Sequence, residues 1–295
     1  MKKFLLYILS ILSILLVIFT VLDVFYTFAY TKGTPRNKIS YLLSIEDEAI
    51  DYVFLGSSRV DNTIDSEIME EVTGKKILNL GIQEVGLNDT FLMLQLLKKQ
   101  NIQTETVFIQ VDGKYNSNKN SGYLKSSIMP FIHDEQISIL MKNRNKDFFF
   151  LKYLPFYRYL KYDYKNGFRE VLNILLKNQP YVNLENGYYP LYGKSRKQLQ
   201  TKLPEKISQT NPDIEAINRF AEKNNINVVY FMAPVCSEAE NLDFAQKLDQ
   251  KIPSLMDFSK LFLEKDDYFF DCSHLNDNGA KEFSKILGRE ISQLD

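Results

Sequence analysis

Asp51-Tyr-Val-Phe-Leu-Gly-Ser-Ser-Arg-Val60 decides how the rest of the chain is read. Val53, Phe54 and Leu55 form a short apolar run with β propensity, suited to a buried strand, and Gly56 ends it. Ser57, Ser58 and Arg59 then fall at the strand's carboxyl end. In an open α/β sheet the loops leaving strand ends line the crevice where ligands bind. A serine there reaches a substrate without being buried. The same residues also describe a plain turn before a helix, with serine as the cap. What separates the two readings is the far end of the chain.

Outward from this strand the pattern alternates. Asp65 or Ser66 is expected to cap a short helix over residues 67–72, stopped at Gly74. Residues 76–80 read as a second strand, ending in Asn79-Leu-Gly-Ile-Gln-Glu-Val-Gly86. Asn88 or Asp89 is expected to cap a helix from residue 90 to 99 with a broad apolar face. Residues 106–111 make a third strand, ending at Asp112-Gly113. After a long interruption the alternation resumes: a helix capped by Asp213, a fourth strand at 227–232, a helix at 238–251, a short fifth strand at 254–258, and a last helix over 279–291. This is the order of an α/β fold with a parallel sheet of about five strands and right-handed crossovers.

The interruption, at about residues 115–212, is unusually aromatic. Residues 148–192 hold fourteen Phe or Tyr, where even spreading would give about six. The run from Phe148 to Tyr164 has helical and interfacial character, with Arg and Lys between rings that can snorkel. It reads as a helical insertion that roofs the site, meets a bilayer surface, or both. Tyr188, Tyr189 and Tyr192 are candidates to stack on sugar rings, whereas most of the other rings are expected to form the insertion's own core.

The amino terminus is of a different kind. After Met1-Lys2-Lys3, residues 4–22 carry no charge over nineteen positions, which as a helix spans about 28 Å, close to the hydrocarbon thickness of a bilayer. Asp23 breaks the run, and residues 24–30 resume it with aromatics suited to an interface. No Ala-x-Ala-like cleavage site follows, so residues 1–30 read as an uncleaved transmembrane signal anchor, with membrane contact through residues 4–22. Residues 31–50 read as a tether and 51–295 as the folded body. Lys2 and Lys3 favour a cytoplasmic amino terminus, while Lys32, Arg36 and Lys38 pull the other way. The reading adopted is a single-pass protein of the cell membrane with an extracytoplasmic body. The net charge of −1 leaves no basic footprint for nucleic acid. The two cysteines, Cys236 and Cys272, are too few for a disulfide scaffold or a zinc cluster. They read as two half-buried thiols, or as a pair if the body is exported. No metal or cofactor is expected.

The chain holds two histidines, His133 and His274. Asp271 precedes His274 by three residues, so one turn can carry both, the carboxylate on Nδ1 and Nε2 facing outward. A serine hydroxyl at Nε2 would have its general base, and the aspartate would hold the tautomer. The reading therefore requires Ser58 and His274 to meet in space. His133, in Phe131-Ile-His-Asp134, has no such neighbours.

Together these residues resemble the SGNH/GDSL hydrolase superfamily. Gly56-Ser57-Ser58 is similar to its first block, with Ser58 in the nucleophile position and Ser57 where the name-giving aspartate stands. Asn79-Leu80-Gly81-Ile82 resembles the second block, and Asp271-Cys272-Ser273-His274-Leu275 the last. The resemblance covers residues 51–112 and 213–291. It implies a flavodoxin-like sandwich, Ser58 as nucleophile, His274 as base and Asp271 as its orienting partner. A general α/β-hydrolase is disfavoured, because Gly56-Ser-Ser-Arg-Val60 lacks the second glycine of the nucleophile elbow. Two departures stand out. Glu84 occupies the place of an oxyanion glycine, leaving its backbone N–H, that of Ser58 and the freedom given by Gly81 and Gly86. Asp112 stands in the third block where an asparagine normally donates; Arg59, Lys114 and Asn116 are the candidate replacements.

The Gly-Ser-Ser-Arg variant, the anchor and the insertion are most similar to the membrane-anchored branch of that bacterial superfamily, which includes polysaccharide O-acetyltransferases and relatives of the teichoic-acid D-alanylation hydrolase. That resemblance implies acyl transfer, most simply of acetyl, to or from a cell-envelope or extracellular polysaccharide. Acyl-CoA is absent outside the membrane, so a multi-pass membrane acyltransferase would deliver the acyl group to Ser58, and a glycan would accept it. The alternatives are an ester hydrolase of the same fold and a catalytically silent, membrane-anchored scaffold that binds glycan or a partner.

Overall fold

The computed structural model describes residues 1–117, 119–196 and 201–293. In chain order, helices α1 (Lys2–Lys32) and α2 (Lys38–Leu42) come first. Strand β1 (Tyr52–Gly56), helices α3 (Ser58–Asp61) and α4 (Ser66–Thr73), strand β2 (Ile77–Gly81), helix α5 (Leu87–Lys99) and strand β3 (Thr106–Gln110) follow. Helices α6 (Gly122–Ile128), α7 (Glu135–Lys142), α8 (Phe148–Tyr153), α9 (Tyr157–Lys161), α10 (Asp163–Asn166) and α11 (Phe168–Leu175) occupy the middle. Then come α12 (Pro212–Asn224), β4 (Asn227–Met232), α13 (Phe244–Asp249), β5 (Met256–Asp257), the pair β6 (Phe269–Asp271) and β7 (His274–Leu275), and α14 (Asp277–Ile291). These elements form two compact units, one of Met1–Ser44 with Lys125–Pro180, the other of Ile45–Leu124 with Tyr181–Asp295.

The second unit is built on a five-stranded parallel sheet in the order β2-β1-β3-β4-β5. Strands β1, β2 and β3 are buried at every position, which is why they read as continuous apolar runs rather than alternating ones. Phe54 of β1 stacks on Phe108 of β3 at 4.8 Å between centroids, and Phe231 of β4 meets Phe54 edge-on. From β1 the chain passes to β2 on one side, then to β3 on the other. That reversal opens the crevice in which α/β sheets bind ligands. Ser57 and Ser58 leave the sheet on one side of it, and Gln110 to Asp112 on the other. Helix α3 lies against β2 so closely that a Cβ on Gly81 would strike the backbone of Asp61.

Several local expectations are corrected. Asn211, not Asp213, caps α12, with Pro212 at the first helical position, where its missing N–H costs nothing. Helix α5 starts earlier than expected, from Gly86. Asp89, inside it, accepts the Ser121 N–H instead of capping. The helix expected at 238–251 shrinks to α13, because residue Glu240 pairs its backbone with Thr201 and Leu203. The β6–β7 hairpin was not foreseen.

In the first unit, α1 is long and apolar enough to cross a membrane or to serve as a signal anchor, and its apolar window is unburied. The break at Asp23 has a partner. Its carboxylate accepts 2.7 Å hydrogen bonds from Arg158 and from the Phe156 N–H, and Arg158 also donates to Thr27. Around this pair Tyr26, Ala29 and Tyr30 pack with Phe156, Tyr159, Val171 and Ile174. The aromatic run is not one helix: Pro155 and the turn after it divide α8 from α9. Helix α2, within the stretch read as a tether, belongs to this unit. Asn37 and Ser40 cap α2 reciprocally, and Ile39 and Leu42 are fully buried.

Candidate active site

Ser58 is the first residue of α3, directly after its cap. Ser57 performs the capping, its Oγ accepting the Arg59 N–H at 3.3 Å. Ser57 is held in turn from β3, since both its hydroxyl and its N–H donate to Gln110 Oε1, at 2.9 and 3.2 Å. Gln110 Nε2 donates to Asp112 Oδ2 at 2.7 Å. The turn that carries Ser58 is thus bolted to the neighbouring strand end while Ser58 itself stays part-exposed.

On the other side, β6 and β7 pair Asp271 with His274 across a tight reversal. Asp271 Oδ1 accepts the N–H groups of Ser273 and His274 at 2.9 and 3.0 Å, and His274 Nδ1 at 2.9 Å. With the carboxylate on Nδ1, that nitrogen carries the proton and Nε2 is left as an acceptor. Ser58 Oγ lies 2.8 Å from Nε2. The structure therefore brings Ser58, His274 and Asp271 into one line from positions 216 apart. The Asp271 side chain is 7% exposed and that of His274 23%, so the carboxylate is sealed while the imidazole edge is open. Burial alone would raise the Asp271 carboxyl. The His274 hydrogen bond and charge, with the two backbone donors, outweigh it and hold the group below its ordinary range.

A covalent link that the sequence left open fixes this geometry. Cys236 and Cys272 form a disulfide, and the Cys236 N–H donates to the Cys272 carbonyl. They are not free thiols. The hairpin bearing Asp271 and His274 is thereby tied to the segment after β4. The Ala233 and Pro234 carbonyls of that segment accept Arg59 Nη2 at 2.6 and 2.7 Å. Arg59 is bonded to Ser58, so one stiff loop of contacts sets the distance between hydroxyl and imidazole.

The expected oxyanion donors fare differently. Arg59 is buried, its Nη2 on those carbonyls and its Nη1 on Asp112 at 3.3 Å, while its Nε has no hydrogen-bond partner among the described residues. Asp112 accepts from Arg59, Gln110 and the Lys114 N–H. Burial raises its carboxyl, but the Arg59 charge and these donors outweigh it and keep it ionised. The Gly81 N–H donates to the Asn79 side chain. Asn116 is occupied by Lys206 and Ser208, and Lys114 Nζ donates to the Val85 carbonyl. Burial pushes the Lys114 ammonium down, with Asp112 and Glu84 opposing. Glu84 takes a left-handed backbone, φ 63°, in the turn after β2. Among the described residues, the N–H groups of Ser58 and Glu84 donate to no acceptor.

Of the proposed sugar-stacking rings, Tyr188 donates its hydroxyl to Asp277 and is half-buried, and burial pushes that hydroxyl's pKa up. Tyr189 is fixed through its N–H to the Asp61 carbonyl, and Tyr192 is exposed. His133 belongs to the other compact unit and has no part in the line. The residue missed from sequence is Gln110, and the sequence leaves the cysteine pair as one of two alternatives. A polar Gln closing an apolar strand was the available signal for the first.

No family model matches the chain, and no curated protein matches it. Among solved structures it is similar to one named "The structure of a putative platelet activating factor from Streptococcus pneumonia", with 12% identity over 97% of this chain and 98% of that one and a TM-score of 0.35. A likeness at that TM-score carries no weight for fold or function.

Proposed function

We propose that the chain is a serine-dependent acyltransferase of the SGNH type, moving an acyl group, most simply acetyl, to or from a cell-envelope or extracellular polysaccharide. The observation that carries this reading is the hydroxyl–imidazole–carboxylate line at the sheet's reversal point. In the proposed reaction Ser58 Oγ attacks the acyl carbon as His274 Nε2 takes its proton, and Asp271 stabilises the imidazolium. The proton passes to the leaving oxygen, and Ser58 keeps the acyl group. A sugar hydroxyl, deprotonated by His274, then reforms an ester and frees the serine. In this reading the oxyanion is met by the Ser58 and Glu84 N–H groups, which donate to no acceptor among the described residues. A missing third donor costs about 2.7–4 kcal/mol of transition-state stabilisation, which accords with a slow, dedicated enzyme.

The disulfide supports an exported body, because such bonds persist in oxidising compartments, and α1 supports an anchored one. On that reading the acyl donor comes from a multi-pass membrane acyltransferase, and the acceptor is a glycan. Hydrolysis would differ only in using water as acceptor. Asp112, whose two carboxylate oxygens accept from Arg59, Gln110 and the Lys114 N–H and offer no donor, is the observation that keeps a silent glycan- or partner-binding scaffold as the second reading. A fluorophosphonate probe tests the enzyme readings: wild-type protein should label, and Ser58→Ala and His274→Ala should not. Absence of labelling in wild type, with Ala variants that still complement a deletion, favours the scaffold. Loss of acetylated glycan in Ser58→Ala cells supports transfer, and its accumulation supports hydrolysis.

A further inference from the structure

We propose that the corner formed by α8 and the start of α9, together with one face of α11, is a membrane-interface collar seated in the lipid headgroup layer around α1. The first observation is depth. From Phe4 to Asp23 helix α1 rises about 30 Å, the thickness of a hydrocarbon core. Phe156, at the corner, stacks on Phe19 at 6.2 Å, meets Tyr26 at 4.9 Å and donates its N–H to Asp23. If α1 spans the bilayer, the corner lies where the span ends.

The second observation is what this corner exposes. Phe149, Phe150, Tyr153 and Leu154 are 46–66% exposed, and the Phe149 ring contacts those of Phe150 and Tyr153. Lys152 lies near the Tyr153 ring, giving the apolar body and cationic fringe that suit headgroups. The third is α11, whose apolar residues form one arc. Val171 and Ile174 pack with Tyr26, Ala29 and Tyr30 of α1, whereas Phe168, Leu172, Leu175 and Leu176 are exposed. The exposed rings of the corner are held against α1 where its apolar run ends, so lipid is the occupant the geometry selects. The collar also explains Asp23: its charge sits at the hydrocarbon boundary, sealed by Arg158 and the rings.

The chain has no tryptophan, so the full-length Phe150→Trp and Leu172→Trp variants each carry a single reporter on an exposed site. Reconstituted into phosphatidylcholine–phosphatidylglycerol vesicles, both should show blue-shifted emission that bromine-labelled lipid quenches and aqueous iodide does not. A Leu12→Trp variant in the same vesicles verifies that α1 is inserted. Iodide quenching of the collar reporters would place them in water and overturn the proposal. Emission quenched by neither agent would mean that protein covers the face, and would overturn it equally. A collar in water while Leu12→Trp is quenched by lipid would refute the collar without touching the anchor.

Discussion

Ser58 and His274 share one hydrogen bond, and each is positioned by a group whose role is testable alone. Asp271→Asn keeps the shape but lets the amide donate to Nδ1, turning Nε2 into the protonated nitrogen. Acyl transfer to a chromogenic ester should then fall by on the order of 10⁴, far more than the thermal stability lost with the acceptor of the Ser273 and His274 N–H groups. Gln110→Ala removes the acceptor of Ser57 and a donor to the buried Asp112. It should cost about 1–3 kcal/mol in denaturant unfolding and slow labelling of Ser58 more than it weakens substrate binding. The three residues of the line were legible because each sits in a short local pattern: a strand end, and a carboxylate three positions before a histidine. Gln110 and Arg59 were harder. Ser57, which Gln110 holds, and Asp112, which Arg59 meets, each lie 53 positions away, and nothing in the local sequence tells a structural arginine from an oxyanion donor.

At the scale of elements, close approach and cross-links dominate. Gly81→Ala would force α3 off β2, since the added methyl meets the backbone of Asp61. Overpacking of this kind costs about 1–3 kcal/mol, and because α3 carries Ser58, activity should fall further than stability. Cys236→Ser opens the cross-link spanning 36 residues, a loss of about 3–4 kcal/mol by chain entropy. Thermal unfolding of oxidised and reduced protein would measure it. Strands β1 to β4 were legible because buried parallel strands advertise themselves as apolar runs. Helix starts were less so: two capping-competent residues lay within reach of α12, and the Asn-Pro pair won over Asp213. The Asp23–Arg158 pair could not be read at all, because its members are 135 positions apart.

For the molecule as a whole, pH is the informative variable. Asp112 and Asp271 both have carboxyls held below the ordinary range in the folded state. Their contribution to stability is fully present above the unfolded value of about 3.9. It is lost as pH falls from there through the depressed folded values. Asp65, pushed up by burial, works the other way, so its ionised form is a cost that acid relieves. The exposed Asp243 is lowered too, by Lys247, so three carboxyls lose stabilisation in acid against one that gains, and unfolding midpoints should fall below about pH 4. Asp112→Asn should flatten that acid limb when followed by circular dichroism. An acid limb unchanged by the substitution would show that Asp112 is not the group responsible.

Central to the account is a Ser58 hydroxyl made nucleophilic by His274. Brief exposure to an activated acetyl ester, acid quenching and peptide mass analysis reads it directly. The account predicts an acetyl adduct on the peptide containing Ser58 in wild-type protein and none in His274→Ala. Wild-type protein without an adduct, or an adduct undiminished when the imidazole is removed, would contradict it.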